Sequence, residues 1–394
     1  MSASPAESPA SQPDRAVRAE AVVDLDAISD NVAALKDHVD RREFIAVVKA
    51  DGYGHGIVPA ALAARAGGAE WLGVAFLDEA LLLRKAGDKG SILCWLAVPG
   101  ERYVEAVRAG VEVSAYSVDQ LEAIADAGRM AGSPAAVQLK LDSGLGRGGA
   151  DPDHWEELVS TAVRLRDANV LDVTGVWSHL ACSDEPGHPS IQAQTTTFEA
   201  GLAHALDQGL EPAHIHLANS GGALATPSTW FTTVRVGIAI YGVSPFGDGS
   251  SPVPLQQAMT LRGRVALVKE VGPGHGVSYG HTYVTSGPTR LALVPLGYGD
   301  GVPRHASSRA QVWLNDRRHR IAGRVCMDQF VLDVGDAPAA AGDEVVLFGD
   351  GRQGEPTAHD WAVAAETIGY EIVTRIGSRV PRTYVGDVVS GLPR

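Results

Sequence analysis

The feature that most constrains the fold is a regular alternation of strand-like and helix-like segments between residues 44 and 238. Eight short apolar runs rich in β-branched residues lie there, and most are separated by segments with helical apolar spacing. Strands that alternate with helices form βαβ units, whose strands lie parallel in one sheet. The eight runs cover residues 44–50, 71–76, 91–97, 111–117, 135–142, 173–179, 214–220 and 232–238.

Eight consecutive units favour a closed (β/α)8 barrel over an open sheet. Open doubly wound sheets usually contain about five or six strands, and their GxGxxG turn after a strand is missing from this sequence. A chain of 394 residues is long enough for more than one domain. We therefore predict an α/β fold class: a (β/α)8 barrel followed by a mostly β C-terminal domain.

The domain boundary is predicted at a linker rich in Gly, Pro and Ser, residues 246–254. Beyond it, strand candidates are separated by turn residues instead of helices, which is typical of an all-β domain, and one helix is predicted at 360–376. We expect the barrel to cover residues 17–250 and the β domain to cover residues 251–394. The first strand, at 19–26, precedes the barrel pattern and is a candidate to pack with the β domain.

The composition is that of a soluble globular protein, with 45% hydrophobic and 20% charged residues. The net charge is −14 and no basic patch stands out, so neither a nucleic acid nor a membrane is an expected partner. No apolar run approaches the roughly 18 residues of a transmembrane helix. Residues 1–16 are rich in Pro and Ser and are predicted to form a disordered tail instead of a signal peptide.

Cysteine and histidine usage bears on the compartment and on metal binding. The three cysteines are scattered and include no CxxC pair, which indicates a reducing compartment and a cytoplasmic protein. His204, His214 and His216 are close in sequence, but no carboxylate or cysteine is spaced to complete a metal site. We therefore expect no metal ion.

Polar residues end most of the predicted barrel strands. In (β/α)8 enzymes the chemistry lies at the C-terminal ends of the strands, where side chains from several strands meet. A single polar residue there more often only begins a solvated loop, so the argument depends on the whole set. The set consists of Lys49, Ser114, Lys140, Asp142, His179, Asn219, Ser220 and Arg235.

Lys49 is the most informative member of this set. It ends the apolar run AVVK and is followed by ADGYGHG, whose alternating glycines allow a ligand to come close to the backbone. A lysine at a barrel mouth can lose solvation, lower its pKa and form a Schiff base. The segment AVVKADGYGHG closely resembles the pyridoxal-phosphate lysine motif of the alanine racemase family. The resemblance implies that Lys49 holds pyridoxal 5'-phosphate and is one catalytic base.

The resemblance continues in order from about residue 17 to residue 385. LKLDSGLGRGG (139–149) is similar to the family segment with a carbamylated lysine and a substrate-binding arginine, at the positions of Lys140 and Arg147. Ser143 and Leu145 depart from the Thr and Met that the family usually has there. Other similar segments are GVWSHLACSD, HLANSGG, VRVGIAIYG and TIGYE. The resemblance implies cofactor contacts by Lys49, Tyr53, His179, Asn219, Ser220, Arg235, Gly237, Ile238 and Tyr370.

The β domain carries three further similar segments, VSYG, LGYGDG and GRVCMDQ. The resemblance implies that Tyr279 is the second catalytic base, on the opposite side of the α-carbon from Lys49. It also implies substrate contacts by Arg147, Tyr298, Met327 and Asp328. The implied activity is the interconversion of L-alanine and D-alanine, which supplies D-alanine for peptidoglycan. The implied assembly is a homodimer in which one chain donates Tyr279 and Met327 to the barrel of its partner.

Some of these residues have ordinary structural interpretations as well. Lys140 next to Asp142 is typical of an ion pair, whereas carbamylation would turn it into an anion that holds Arg147 through paired hydrogen bonds. Without a cofactor, Arg235 would be a buried salt-bridge partner or a filler of the barrel interior. A tyrosine in a strand, such as Tyr279, is usually a half-buried packing residue.

Two other functions fit parts of the pattern. A decarboxylase of basic amino acids shares the two-domain plan, but it needs a cysteine–aspartate pair in another context, and Tyr298 and Met327 would crowd a long side chain. A cofactor-carrying protein without catalytic activity would consist of the barrel alone. The β domain of roughly 130 residues with VSYG argues against it. An amino-acid panel separates the three functions.

Overall fold

The structure is a computed structural model that describes residues 17–392, so the predicted tail at 1–16 lies outside the described residues. The described chain begins with β1 (Ala19–Asp24) and α1 (Leu25–His38) and then enters the barrel. The barrel strands are β2 (Glu43–Val47), β3 (Trp71–Val74), β4 (Ser91–Cys94), β5 (Glu112–Ala115), β6 (Ala135–Lys140), β7 (Leu171–Trp177), β8 (His214–His216) and β9 (Thr233–Val236).

These eight strands are parallel and form one curved sheet. Their order is β8-β7-β6-β5-β4-β3-β2-β9, so β2 pairs with both β3 and β9. Two backbone hydrogen bonds join the segments of β8 and β9: Thr232 N–H donates to the Ile215 carbonyl (3.1 Å), and Arg235 N–H donates to the Ala218 carbonyl (3.0 Å). The near-closed ring confirms the predicted (β/α)8 barrel.

Helices and helical turns connect the barrel strands. Capping explains their limits: Ser117 Oγ accepts from Gln120 N–H at the start of one helix, and Gly132 in the left-handed region ends it. They are α2 (Lys49–Tyr53), α3 (Ile57–Ala66), α4 (Leu77–Lys85), α5 (Tyr103–Arg108), α6 (Val118–Ala131), α7 (Pro152–Asp167), α8 (Pro189–Asp207) and α9 (Ser220–Ala225). Among residues 17–392, no helix has the length and apolarity needed to cross a bilayer.

The chain after the barrel forms mostly β structure. Its elements are β10 (Met259–Arg264), β11 (Leu267–Val271), β12 (Gly276–Val277), β13 (Tyr283–Val284), β14 (Thr289–Val294), β15 (Gln311–Leu314), β16 (Arg317–Arg320), β17 (Phe330–Gly335), β18 (Glu344–Phe348), α10 (Ala358–Ala365), α11 (Gly369–Thr374) and β19 (Arg382–Val385). The sheets are β16-β15-β18-β10-β1-β19, β11-β14-β17 and the hairpin β12-β13. β1 therefore lies in the C-terminal sheet, antiparallel to β10 and parallel to β19.

Two elements differ from the sequence predictions. The prediction of a single helix at 360–376 is wrong, because α10 ends at Ala365, the next residue, Glu366, has a left-handed φ of 53°, and a separate helix, α11, begins at Gly369. One of the strand candidates predicted beyond the linker covers residues 276–284, and it is interrupted by a short turn that contains Tyr279, with positive φ at Ser278 and Gly280. Tyr279 therefore does not lie in a strand.

Candidate active site

The turn that follows β2 presents Lys49. Residues Ala50–Tyr53 all have φ angles between 52° and 61°, so the chain makes a left-handed turn. Non-glycine residues lose about 1–2 kcal/mol each in this region, so neighbouring groups must hold the turn. Glu79 does so by accepting from Ala50 N–H at 2.7 Å, and the Asp51 carboxylate accepts from Ile57 N–H at 2.8 Å.

The amine of Lys49 points into a cationic, partly dehydrated region. Its Nζ atom lies 5.9 Å from the centroid of the Trp95 ring. Burial and the charge of Arg147 lower the pKa of Lys49, and the charge of Glu79 partly opposes this. A lysine in such a place is easier to deprotonate, which suits an amine that forms covalent links or accepts protons.

Arg235 is the centre of the polar network at the barrel mouth. Its Nη1 atom lies 2.8 Å from His216 Nδ1, and its Nη2 atom donates to the Ser178 carbonyl at 2.8 Å and lies 3.1 Å from His179 Nδ1. Its Nε–H has no hydrogen-bond partner among residues 17–392. Burial lowers the pKa of Arg235 to about 9, so the group is still a cation at neutral pH.

The indole of Trp177 lies among these cations. Arg235 Cζ and Lys140 Nζ each lie 4.6 Å from its ring centroid, and the His216 ring stacks on it with 6° between the planes. Its Nε1–H donates to Ser114 Oγ at 2.9 Å. Cations over an aromatic face are attracted by its quadrupole, so Trp177 fixes both the arginine and the lysine.

Lys140 is not paired with Asp142. The Asp142 carboxylate instead accepts from four backbone N–H groups of the following loop, from Gly144 to Arg147, at 2.9–3.2 Å. This bonding shapes the loop that carries the exposed Arg147. Burial, with the nearby charges of Arg235 and Arg147, lowers the pKa of Lys140 to about 8. Among residues 17–392, no salt bridge joins Lys140 to Asp142, so the ion-pair interpretation is wrong.

A cluster of hydrogen-bond donors lies at the ends of β8 and β9. Gly237 N–H donates to Ser220 Oγ at 2.9 Å, and a Cβ atom at Gly237 would lie only 2.4 Å from the Tyr53 hydroxyl. The rings of Tyr53 and Tyr370 are 6.3 Å apart. Burial raises the pKa of both phenols, so they remain donors, and neither has a hydrogen-bond partner among residues 17–392.

Two further cofactor-contact candidates border this cluster. Asn219 Oδ1 accepts from Gly222 N–H at 3.2 Å and so caps the short helix that begins with Ser220. Ile238 is fully buried, and within the described chain its N–H donates to no backbone group. The Ile238 N–H and the phenols of Tyr53 and Tyr370 are thus unpaired donors near the end of β9, and such donors suit an anion.

The β-domain candidates lie on one exposed face. The exposed fraction is 70% for Tyr279, 41% for Tyr298 and 53% for Met327. Backbone bonds join their segments: Tyr298 N–H donates to Cys326 and Gly299 N–H to Met327, at 3.0 and 2.8 Å. No hydrogen bond joins Tyr279 to the barrel within residues 17–392.

Asp328 is fixed at the border of this exposed face. Its carboxylate pairs with Arg379 at 2.8 Å, and Arg379 also pairs with the buried Asp300 at 3.3 Å. Asp300 in turn accepts from Gly297 N–H at 2.9 Å and so holds the turn that presents Tyr298. The negative charge of Asp328 is therefore balanced by Arg379 of the same chain.

Chemistry at the strand ends and a second, mostly β domain together define a two-domain barrel enzyme. Residues 23–245 match the family model of the alanine racemase N-terminal domain, and residues 258–384 match that of the C-terminal domain. The chain belongs to the alanine racemase family.

Relatives and solved structures agree over nearly the whole chain. The alanine racemase of Streptomyces coelicolor is 53% identical over 381 residues, which cover 95% of this chain and 97% of that protein. The crystal structure of alanine racemase from Streptomyces lavendulae has a TM-score of 0.93 at 52% identity and covers 95% of this chain and 98% of that chain. Alanine racemase from Bacillus anthracis, solved with bound L-Ala-P, has a TM-score of 0.85 at 34% identity, with coverage of 96% and 97%.

Sequence reasoning missed several residues that support the site. The search considered polar residues at the ends of barrel strands, which is how Lys49 and Arg235 were found. It missed Glu79, which lies on a helix, and it missed Trp95 and Trp177, which lie at strand ends but are aromatic. Trp177 is nonetheless the last residue of β7, and an aromatic residue at that position was an available signal.

Proposed function

We propose that this protein is an alanine racemase that interconverts L-alanine and D-alanine with pyridoxal 5'-phosphate. The observation that carries the proposal is the meeting of Lys49, with its lowered pKa, and the buried Arg235 cation at one barrel mouth. The relatives and solved structures named above are alanine racemases and cover the chain almost end to end. A supply of D-alanine for peptidoglycan and a cytoplasmic location complete the proposal.

The residues at the mouth fit pyridoxal phosphate. The hydroxyls of Tyr53 and Tyr370 and the N–H of Ile238 are unpaired donors that suit the phosphate group. Gly237 has no Cβ and so leaves room for the Tyr53 hydroxyl. The unpaired Nε–H of Arg235 suits the ring nitrogen, and Lys49 suits the aldehyde. When bound, the cofactor would supply an electron-withdrawing ring that makes the α-proton of the amino acid acidic.

Two bases on opposite sides of the α-carbon would then exchange its proton. Lys49 Nζ acts on one side, and burial, which lowers its pKa, favours the neutral amine that accepts a proton. We assign the other side to the phenol oxygen of Tyr279. The exposure of Tyr279, Tyr298 and Met327 supports a homodimer in which this face covers the partner's barrel mouth. Arg147 would bind the substrate carboxylate.

Carbamylation of Lys140 is expected from its surroundings. A pKa of about 8 leaves about half of the amine neutral at pH 8, and this neutral amine adds CO2 to form a carbamate with release of a proton. The carbamate is an anion that attracts the nearby Arg147, whereas the ammonium form of Lys140 repels this arginine. Incubation with 13C-bicarbonate at pH 8 should give one carbamate carbon signal. The signal should vanish in Lys140→Met, persist in Lys89→Met and weaken as the pH falls below about 7, where the amine is protonated.

An amino-acid panel with chiral detection tests the proposed function. Purified holoenzyme should convert either enantiomer of alanine to an equal mixture of both, without release of CO2. Release of CO2 from lysine, ornithine or arginine would instead identify a decarboxylase. Absorbance of bound cofactor without turnover of any amino acid would identify a carrier and would refute the racemase.

A further inference from the structure

A line of hydrogen bonds crosses the barrel interior from β5 to Arg235. Glu112 Oε2, at the start of β5, accepts from Gln138 Nε2–H at 2.9 Å, and Gln138 Oε1 lies 2.7 Å from His216 Nε2. His216 Nδ1 lies 2.8 Å from Arg235 Nη1. We call Glu112, Gln138 and His216 the interior relay. Gln138 and His216 have no exposed surface, so water does not replace these bonds.

Hydrogen-bond chemistry allows only one proton arrangement in this relay. A guanidinium only donates, so His216 Nδ1 must carry the lone pair and the proton must lie on Nε2. Gln138 must therefore turn its carbonyl oxygen toward His216, and its amide NH2 then needs an acceptor. Glu112 provides that acceptor and also receives the Thr174 hydroxyl at 2.6 Å. Burial and the charge of Arg235 hold the pKa of His216 well below its usual value, which agrees with a neutral ring.

We propose that Glu112 and Gln138 are positioning residues that fix the Nε2–H tautomer of His216 and thereby hold the Arg235 guanidinium in place. The two Nη atoms of Arg235 are occupied by His216, His179 and backbone carbonyls, so their partners determine where the unpaired Nε–H points. A change at Gln138 thus reaches the barrel mouth through His216. Only the kinetic part of this inference rests on the proposed function.

The site of Gln138 is shaped for this role. A Cβ atom at Gly175, on the neighbouring strand, would lie 2.9 Å from Gln138 Cδ, so glycine leaves the space that the amide needs. Glu43 offers a matched control nearby. It is also the first residue of a barrel strand, and its carboxylate accepts from Trp71 Nε1–H and Thr233 Oγ1–H, both at 2.8 Å, and pairs with His214 Nδ1 at 2.6 Å, with no bond to Gln138 or His216.

Three variants test the relay. Gln138→Leu keeps a similar volume and removes both hydrogen bonds. The double variant Glu112→Gln/Gln138→Glu exchanges the two groups and keeps the bonds along the relay: the new amide donates to the new carboxylate, which still accepts from His216 Nε2–H. The Thr174 hydroxyl loses its acceptor at position 112 and keeps the Val137 carbonyl. Glu43→Gln alters a hydrogen-bonded carboxylate of another barrel strand that lies outside the relay. The readouts are 15N NMR of His216 in protein free of cofactor, the absorption spectrum of bound cofactor, and kcat and KM.

We expect wild-type His216 to carry its proton on Nε2 only. Gln138→Leu should disperse or shift the His216 signals, alter the cofactor spectrum and lower kcat about tenfold with KM within about twofold, since His216 Nε2–H loses its buried acceptor. The exchanged pair should restore wild-type values within about twofold, and Glu43→Gln should leave the His216 tautomer unchanged.

Three results would overturn the relay. They are a wild-type His216 protonated on Nδ1, a Gln138→Leu protein with unchanged signals and kcat, and an exchanged pair as defective as Gln138→Leu. If Gln138→Leu does not fold, the wild-type tautomer and the exchanged pair still decide. Because the NMR measurement needs no turnover, loss of the racemase proposal in the amino-acid panel would leave this result interpretable.

Discussion

Lys49→Ala should lose covalently bound cofactor and at least about a thousandfold in racemisation rate. The rate estimate follows from the roughly 10²–10⁴-fold contribution of a positioned general base, to which the loss of covalent attachment adds. In wild-type protein, borohydride should fix the cofactor on the peptide that contains Lys49, and mass spectrometry should locate it there. In Lys49→Ala, dialysis after borohydride treatment should remove the cofactor absorbance.

Two other lysines serve as controls for this result. Lys140 Nζ faces the same mouth through Trp177, so Lys140→Met tests whether any amine in the region can take the place of Lys49. It should retain the borohydride-fixed cofactor on the Lys49 peptide. Lys89 is exposed, and Lys89→Ala should match wild type in every measurement. An unaltered spectrum in Lys49→Ala after reduction and dialysis would show that the lysine assignment is wrong.

The barrel could be predicted because each of its strands is a short apolar run that ends in a local signal. Lys49 was identifiable for the same reason: a cation directly after AVVK, followed by alternating glycines, is a pattern within one segment. Glu79, by contrast, lies on α4, 29 positions after the Ala50 N–H that it accepts, and its own helix gives no sign of that partner. Contacts between distant segments depend on how the elements pack, and the spacing of apolar residues within one segment does not predict this packing.

The C-terminal elements illustrate a second limit. β16 has the sequence RRHR and is mostly exposed, so no apolar alternation marks it, although the turn Asn315-Asp316 with two positive φ angles is a hairpin signal. The break between α10 and α11 depends on Glu366, a residue with no intrinsic preference for the left-handed region. The interior relay escaped prediction because Gln138 lies in the middle of a strand, where polar residues are normally assigned to the solvent side.

The proposed second base, Tyr279, is exposed on the β domain, and a mixing experiment turns its proposed role into a count of intact sites. Tyr279 is 70% exposed on the β domain, whereas Lys49 is partly buried at the barrel mouth. Suppose that each active site combines Lys49 of one chain with Tyr279 of its partner. Lys49→Ala and Tyr279→Phe homodimers would then each contain one lesion in every site and have very little activity.

Exchange of subunits between these two inactive proteins should restore about a quarter of the wild-type activity. Random exchange places about half of the chains in heterodimers, and two-fold symmetry gives each heterodimer one site with both lesions and one site with neither. Half of the sites in half of the dimers are thus intact. If both residues came from the same chain, every site would keep a lesion and no activity would return. Exchange must be confirmed separately, for example by native mass spectrometry of chains with different tags. With exchange confirmed, a lack of recovery would show that Tyr279 is not donated across the interface.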